Sequence, residues 1–71
     1  DALLYAAKLD GTMNVSHALA AGRRAYVHVA RGSVALNGTP LAAGDGARIE
    51  NETQLRIDQG REAEVLVFDL P

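Results

Sequence analysis

The amino-acid sequence predicts an all-β protein, folded as one small barrel or sandwich. Turn-forming pairs recur at short intervals, the apolar runs between them are short, and no stretch keeps a long helical period without a glycine. Short strands separated by regular turn signals are typical of sandwiches and barrels. The 71 residues suffice for a single domain, and the absence of cysteine means that no disulfide stabilises it.

The first two strands are predicted at residues 3–9 and 13–19. Asp10-Gly11 lies between them and indicates a hairpin turn, since both residue types tolerate turn conformations. Side chains on alternate residues of a strand share a face. In the second strand such a face is formed by Met13, Val15, His17 and Leu19.

The next two strands are predicted at 24–30 and 33–36, with a glycine-containing turn at 31–32 between them. Asn37-Gly38 follows the second of these strands. This pair is the strongest local signal in the chain, because a type I′ hairpin turn needs positive φ at both central residues. A further hairpin is therefore predicted at this point.

The last three strands are predicted at 47–49, 54–58 and 63–70. In the strand at 54–58 apolar and polar residues alternate, which indicates one buried and one solvated face. Both faces of the final strand are apolar: Val65 and Val67 on one, Leu66 and Phe68 on the other. We therefore expect this strand to lie between layers or against a partner, with Asp69 pairing with an arginine on the sheet surface.

The charge balance excludes several classes of function. Seven basic and nine acidic side chains give a net charge of −2, which is no footprint for nucleic-acid binding. Arg23-Arg24 is the basic doublet of the chain and is interpreted as a solvated turn.

No apolar run approaches the roughly 20 residues of a membrane span. No signal peptide is visible, and we expect a cytoplasmic location.

The candidates for metal chemistry are the two histidines. A mononuclear site usually takes three or four ligands, so His17 and His28 would need a carboxylate such as Glu50 or Glu52. The strand pattern argues against this site, since His17 shares the apolar face of its strand and His28 shares a face with Tyr26. Packing and local hydrogen bonding are the favoured roles of both histidines.

Several segments in order resemble a cupin domain. They are YVHVARGSV at 26–34 with Asn37-Gly38 after it, LAAGD at 41–45 and AEVLVFDL at 63–70. Together they are similar to the C-terminal cupin of bacterial pirin-like proteins, two-cupin proteins often grouped with quercetin 2,3-dioxygenases. The resemblance implies a small cupin-like double-stranded β-helix, that is, a jelly-roll barrel.

The metal motifs of the cupin family can be placed on this chain through Gly32 and Gly44. The four positions that the family fills with ligands then fall on or around Leu19, Ala21, Ala25 and Ala47. None of these side chains can bind a metal. Asn51 matches the second motif, but at a position that is not a ligand.

The resemblance also implies where the chemistry lies. In pirin-like proteins the metal, iron or another divalent ion, belongs to the N-terminal cupin, and the C-terminal cupin typically lacks ligands. Residues 1–71 would thus form a single degenerate cupin domain with no catalytic, cofactor-binding or metal-binding residue. The chain begins at Asp1 rather than at methionine, and we expect a C-terminal fragment of a larger two-cupin protein.

The expected function is that of a non-catalytic structural and interaction module. Its partner would be the missing N-terminal cupin or, for the isolated chain, a second copy in a homodimer. The parent would be a metal-dependent dioxygenase of the quercetinase type if it is an enzyme.

Two alternatives stay open at the level of sequence. The barrel could bind a small apolar ligand, although its interior is expected to be filled by Val27, Val29, Leu36, Leu55 and Val67. The chain could also be a metal-dependent dioxygenase that uses His17 and His28.

Overall fold

Two long strands, β3 and β6, organise the molecule. In the computed structural model, which describes residues 2–71, the strands are β1 (Leu3–Leu9), β2 (Val15–Ala18), β3 (Arg24–Leu36), β4 (Thr39–Ala42), β5 (Gly46–Ile49) and β6 (Gln54–Leu70). All pairings are antiparallel. The all-β prediction is confirmed. Residues 2–71 contain no helix long and apolar enough to span a membrane.

The two long strands pair with each other and bend together, so that one sheet forms two layers. The first layer has the strand order β1, β6, β3, β5 and uses residues 63–69 of β6 and 24–29 of β3. The second layer has the order β2, β6, β3, β4 and uses the other ends of both long strands. The inner sides of both layers share one apolar core. The shared core therefore holds the two layers together.

The bends lie where the pairing of β3 with β6 shifts register, between Val29 and Ala35. Gly32 has φ +69°, and a Cβ there would collide with the backbone carbonyl oxygens of Arg61 and Glu62. Glu62 itself has a positive φ of 47°. β-Bulges of this kind bend and twist a strand, which here carries both chains from one layer to the other.

The prediction of a hairpin at Asn37-Gly38 is confirmed. The two residues have φ of 46° and 85°, and they connect the paired residues Leu36 and Thr39. The Asn37 side chain also accepts a hydrogen bond from the backbone N–H of Arg56 at 2.7 Å. The turn is thereby tied to β6 as well as to its own hairpin.

The prediction of a hairpin at Asp10-Gly11 is wrong. β1 and β2 do not pair with each other, since each pairs with β6 in a different layer. The Asp10 carboxylate accepts hydrogen bonds from the backbone N–H of Gly11 and of Glu62. The pair therefore makes a turn between layers and ties that turn to the bend in β6.

Other strand boundaries also differ from the sequence predictions. The runs at 24–30 and 33–36 form one strand, as do those at 54–58 and 63–70, because the glycines between them occupy bends rather than turns. β2 is shorter than the predicted 13–19. β4 is an additional strand that the sequence predictions do not include. It contains Pro40, which an edge strand tolerates because the missing N–H is not needed there.

Candidate functional site

A buried carboxylate, Asp69, is the centre of a polar cluster inside the barrel. It is 6 % exposed and is the buried charged residue of the described chain, 2–71. Its Oδ2 lies 2.7 Å from Nε2 of His17, and its Oδ1 accepts a hydrogen bond from Nε of Arg23 at 2.6 Å. The Asp69 backbone carbonyl accepts another from Nη2 of Arg23 at 3.2 Å. The prediction that Asp69 pairs with an arginine is thus right, but its placement on the surface is wrong.

The fold brings the members of this cluster together from separate elements. Asp69 continues the inward-facing series of β6, and Tyr5 faces inward from β1 of the same layer. His17 faces inward from β2 of the second layer, and Arg23 lies just before β3. The rings of Tyr5 and His17 are 5.6 Å apart and tilted. The cluster therefore connects the two layers at one end of the barrel.

Hydrogen bonds determine the ionisation of Asp69. The bond to His17, followed by the bond to Arg23, lowers the pKa of the carboxyl below its ordinary 3.8, against the opposing effect of burial. Burial raises the pKa of the Tyr5 hydroxyl, and the negative charge of Asp69 adds to that increase. Asp69 is therefore ionised at neutral pH while Tyr5 keeps its proton.

The arrangement holds a charge inside the barrel, and both oxygens of the Asp69 carboxylate are engaged, Oδ2 with His17 and Oδ1 with Arg23. The carboxylate is occupied by two cationic or polar partners, and no buried side-chain polar atom in residues 2–71 lacks a hydrogen bond. The described residues also contain no group of three or more His, Cys, Asp or Glu that could hold a metal. We interpret the cluster as a polar link between layers.

The positions where the cupin family carries metal ligands hold only apolar side chains in this chain. Ala25 is 1 % exposed on β3, and Ala47 faces the same interior from β5, opposite Val27. Leu19 is also buried in the core, whereas Ala21 is exposed in the turn before β3. These side chains offer no donor atom. The residues present do not fit a metal at the family's site.

The remaining metal candidates are not brought together. His28 lies on the outer side of the first layer between Leu66 and Gly46, whereas His17 points into the barrel. Glu50 and Glu52 are exposed in the connection between β5 and β6. The two histidines therefore cannot share an ion with those carboxylates inside the barrel.

Arg23 is the site residue that sequence reasoning missed. The sequence predicts a solvated turn at Arg23-Arg24. Arg24 is exposed but is the first residue of β3, and Arg23 is half-buried against Asp69. One signal could have found it. Asp69 shares the inward alternation of Val65 and Val67, and a buried carboxylate requires a cationic or hydrogen-bonding partner.

Comparisons with known proteins agree with this geometry. Residues 1–70 match a family described as the quercetinase C-terminal cupin domain. A protein named quercetin 2,3-dioxygenase from Escherichia coli (strain K12) is 40 % identical over 55 residues, which cover 78 % of this chain and 24 % of that protein.

Two solved structures superimpose on the whole chain. The crystal structure of YhhW from Escherichia coli gives a TM-score of 0.95 at 37 % identity, covering 100 % of this chain and 30 % of the other. The bacterial pirin YhhW in complex with nickel(II), also from Escherichia coli, gives 0.94 at 37 % identity, with 100 % and 31 % covered. The chain thus spans less than a third of the proteins it resembles.

Proposed function

This chain belongs to the family of quercetinase C-terminal cupin domains, and on that basis we propose that it acts as a non-catalytic structural module within a longer pirin-like polypeptide. In this proposal the metal and the chemistry belong to another cupin domain of that polypeptide. The metal would be iron or another divalent ion, and the reaction would be the oxygenation of a flavonol such as quercetin. This chain would hold and stabilise the domain that performs it.

The observation that carries the proposal is the apolar filling of the barrel interior. The side chains at the ligand positions are Leu and Ala; Leu19 and Ala25 belong to one continuous core, Ala47 packs against it, and Ala21 is exposed. A metal ion requires several N, O or S donors at about 2.0–2.6 Å, and this interior offers none at those positions. A nickel(II) complex of a relative supports a divalent metal in the longer polypeptide.

The two alternative functions have less support. Five interior side chains, Val27, Val29, Leu36, Leu55 and Val67, are all 3 % exposed or less and pack in one cluster, which fills the space that an apolar ligand would need. A dioxygenase based on His17 and His28 would need both imidazoles at one ion. They lie on opposite sides of the sheet.

Metal titration tests the proposal. We expect the purified chain, incubated with iron(II) or nickel(II) and desalted, to retain no stoichiometric metal by elemental analysis. Its thermal unfolding midpoint should be unchanged by a chelator, and quercetin should not be consumed.

Two variants make the opposite result interpretable. Retention of about one equivalent of metal that is lost in His17→Ala or His28→Ala would show a ligand role and contradict the proposal. A change of Glu62→Gln at the exposed bend of β6 serves as the control, because it removes a carboxylate that is not among the candidate ligands.

A further inference from the structure

The outer side of the first layer is an apolar surface. Its side chains stand in register across four strands: Leu4, Phe68, Tyr26 and Arg48 in one row, and Ala6, Leu66, His28 and Gly46 in the next. We call the set Leu4, Ala6, Tyr26, Leu66, Phe68 and Leu70 the apolar face. Leu4 is 58 % exposed and Tyr26 is 39 % exposed. The sequence prediction that β6 is apolar on both sides describes this surface.

The aromatic side chains of the apolar face pack against each other. The Tyr26 and Phe68 rings contact each other with centroids 6.0 Å apart. The Tyr26 hydroxyl lies where a side chain at position 46 would begin, so the absence of a Cβ in Gly46 lets the ring lie across β5. The corresponding outer side of the second layer mixes polar residues, Ser16, Gln54 and Arg56 among them, with alanines and Pro40, and it carries no large apolar side chain among the described residues. One side of the molecule is therefore suited to apolar contact.

The size of the face indicates what covers it. Four strands spaced about 4.8 Å apart and about 20 Å of β6 give a surface of roughly 400 Å². Stable complexes of separate proteins bury about 800 Å² on each partner, so this face is too small for a stable homodimer. Two faces of this size together bury about 800 Å², which is within the range for domains of one chain. A covalent connection raises the effective concentration to about millimolar, and a small interface is then sufficient.

The charges at the edge of the face point to the same kind of partner. The exposed cations on this side are Lys8, Arg24 and Arg48. The carboxylates near them are Glu64, which is paired with Lys8, and Glu50, which follows β5. Arg48 has no ion-pair partner among residues 2–71 and lies beside Tyr26. Stacking two copies would bring two sets of these cations together. A carboxylate of a different surface would satisfy Arg48.

We propose that the apolar face docks onto an apolar surface of a second domain in the same polypeptide, with a carboxylate of that domain opposite Arg48. This inference rests on the proposed function, because a structural module needs a partner, and it names the surface that the partner covers.

Cysteine labelling tests the docking. The chain has no cysteine, so Leu4→Cys on the face and Ser16→Cys on the outer side of the second layer, both at exposed positions, form a pair. In the 71-residue chain we expect both to react with a maleimide at similar rates. In the longer polypeptide, followed by peptide mass spectrometry, Leu4→Cys should react at least about tenfold more slowly than Ser16→Cys.

A charge reversal at Arg48 tests the contact proposed at the edge of the apolar face. In the longer polypeptide, Arg48→Glu should lower the unfolding midpoint more than Arg61→Glu, an equal charge change at an exposed position off the face. Equal decreases of the unfolding midpoint in the two variants would overturn the proposal that a carboxylate of the second domain lies opposite Arg48.

The other outcomes separate this inference from the proposed function. Equal labelling of both cysteines in the longer polypeptide would overturn the docking, while the metal titration could still support a non-catalytic role. Concentration-dependent protection of Leu4→Cys in the 71-residue chain, with a dimer by light scattering, would show that a second copy is the occupant. Binding of metal by the chain would instead contradict the proposed function and leave the labelling result intact.

Discussion

Asp69 shows what a single residue contributes in this fold. Its inward position follows from the alternation of β6, and this much is readable from the sequence. Its partners are not, because His17 and Arg23 are 52 and 46 residues away and meet it only when both layers have formed. The Asp69 carboxylate therefore finds its hydrogen-bond partners only in the complete fold.

Asp69→Asn is expected to destabilise the chain by about 1–3 kcal/mol at pH 7, because it weakens charge-assisted hydrogen bonds in a buried place. The lowered pKa means that ionised Asp69 contributes stability at pH values above about 3.8, and that this contribution is lost as the pH falls through the still lower folded pKa. The Asp69→Asn variant should not show this part of the loss of stability at acid pH. Urea denaturation at several pH values measures both effects.

Asp58→Asn is the matched control. Asp58 pairs with Arg56 at 3.1 Å, but the Arg56 side chain is 62 % exposed, and such pairs contribute at most about 1 kcal/mol. An equal loss of stability in both variants, with the same pH dependence, would contradict the role assigned to Asp69.

At the level of elements, the long strands differ most from what the sequence predicts. The glycine-containing pairs at 31–32 and 59–60 have the composition of turns, and the sequence cannot distinguish a turn from a bulge within a strand. Pairing resolves the ambiguity, since β3 and β6 remain partners on both sides of the bend. Strand existence was thus largely predictable, whereas strand continuity required the register of a partner distant in sequence.

Gly32→Ala tests the bend. We expect a loss of more than about 2 kcal/mol, because an L residue at positive φ costs about 1–2 kcal/mol and the new Cβ would also collide with two backbone carbonyls. Gly22→Ala is the control, since Gly22 has φ +82° but nothing within 4 Å of the added Cβ. Urea midpoints compare the two variants. Equal losses of stability in the two variants would contradict a contribution of the close packing at Gly32 to stability.

For the whole molecule, the fold class and the family resemblance could be predicted because short motifs such as Asn37-Gly38 keep their local chemistry in any context. The layer arrangement could not, because nearly every pairing joins distant segments: β1 with the end of β6, and β2 with its beginning. Local signals do not encode which strand lies beside which. Which residues lie side by side in the apolar face is therefore known from the structure and not from the sequence pattern.

Such non-local pairing predicts slow folding. Domains with this kind of topology fold in milliseconds to seconds, because loop closure precedes most contacts. Stopped-flow refolding from urea, followed by the fluorescence of Tyr5 and Tyr26 in a chain without tryptophan, measures the rate. Refolding complete within microseconds would contradict this expectation.

The central place of β6 has a consequence for biosynthesis. Among residues 2–71, β1 and β2 pair only with β6, yet a ribosome makes β6 after β1 to β5. Until residues 54–70 emerge, the nascent chain exposes open strand edges and the core side chains of β1 and β3. Unpaired edges and apolar surface are the features that favour aggregation and chaperone binding. The strand that joins the two layers thus also determines how long the nascent domain needs protection.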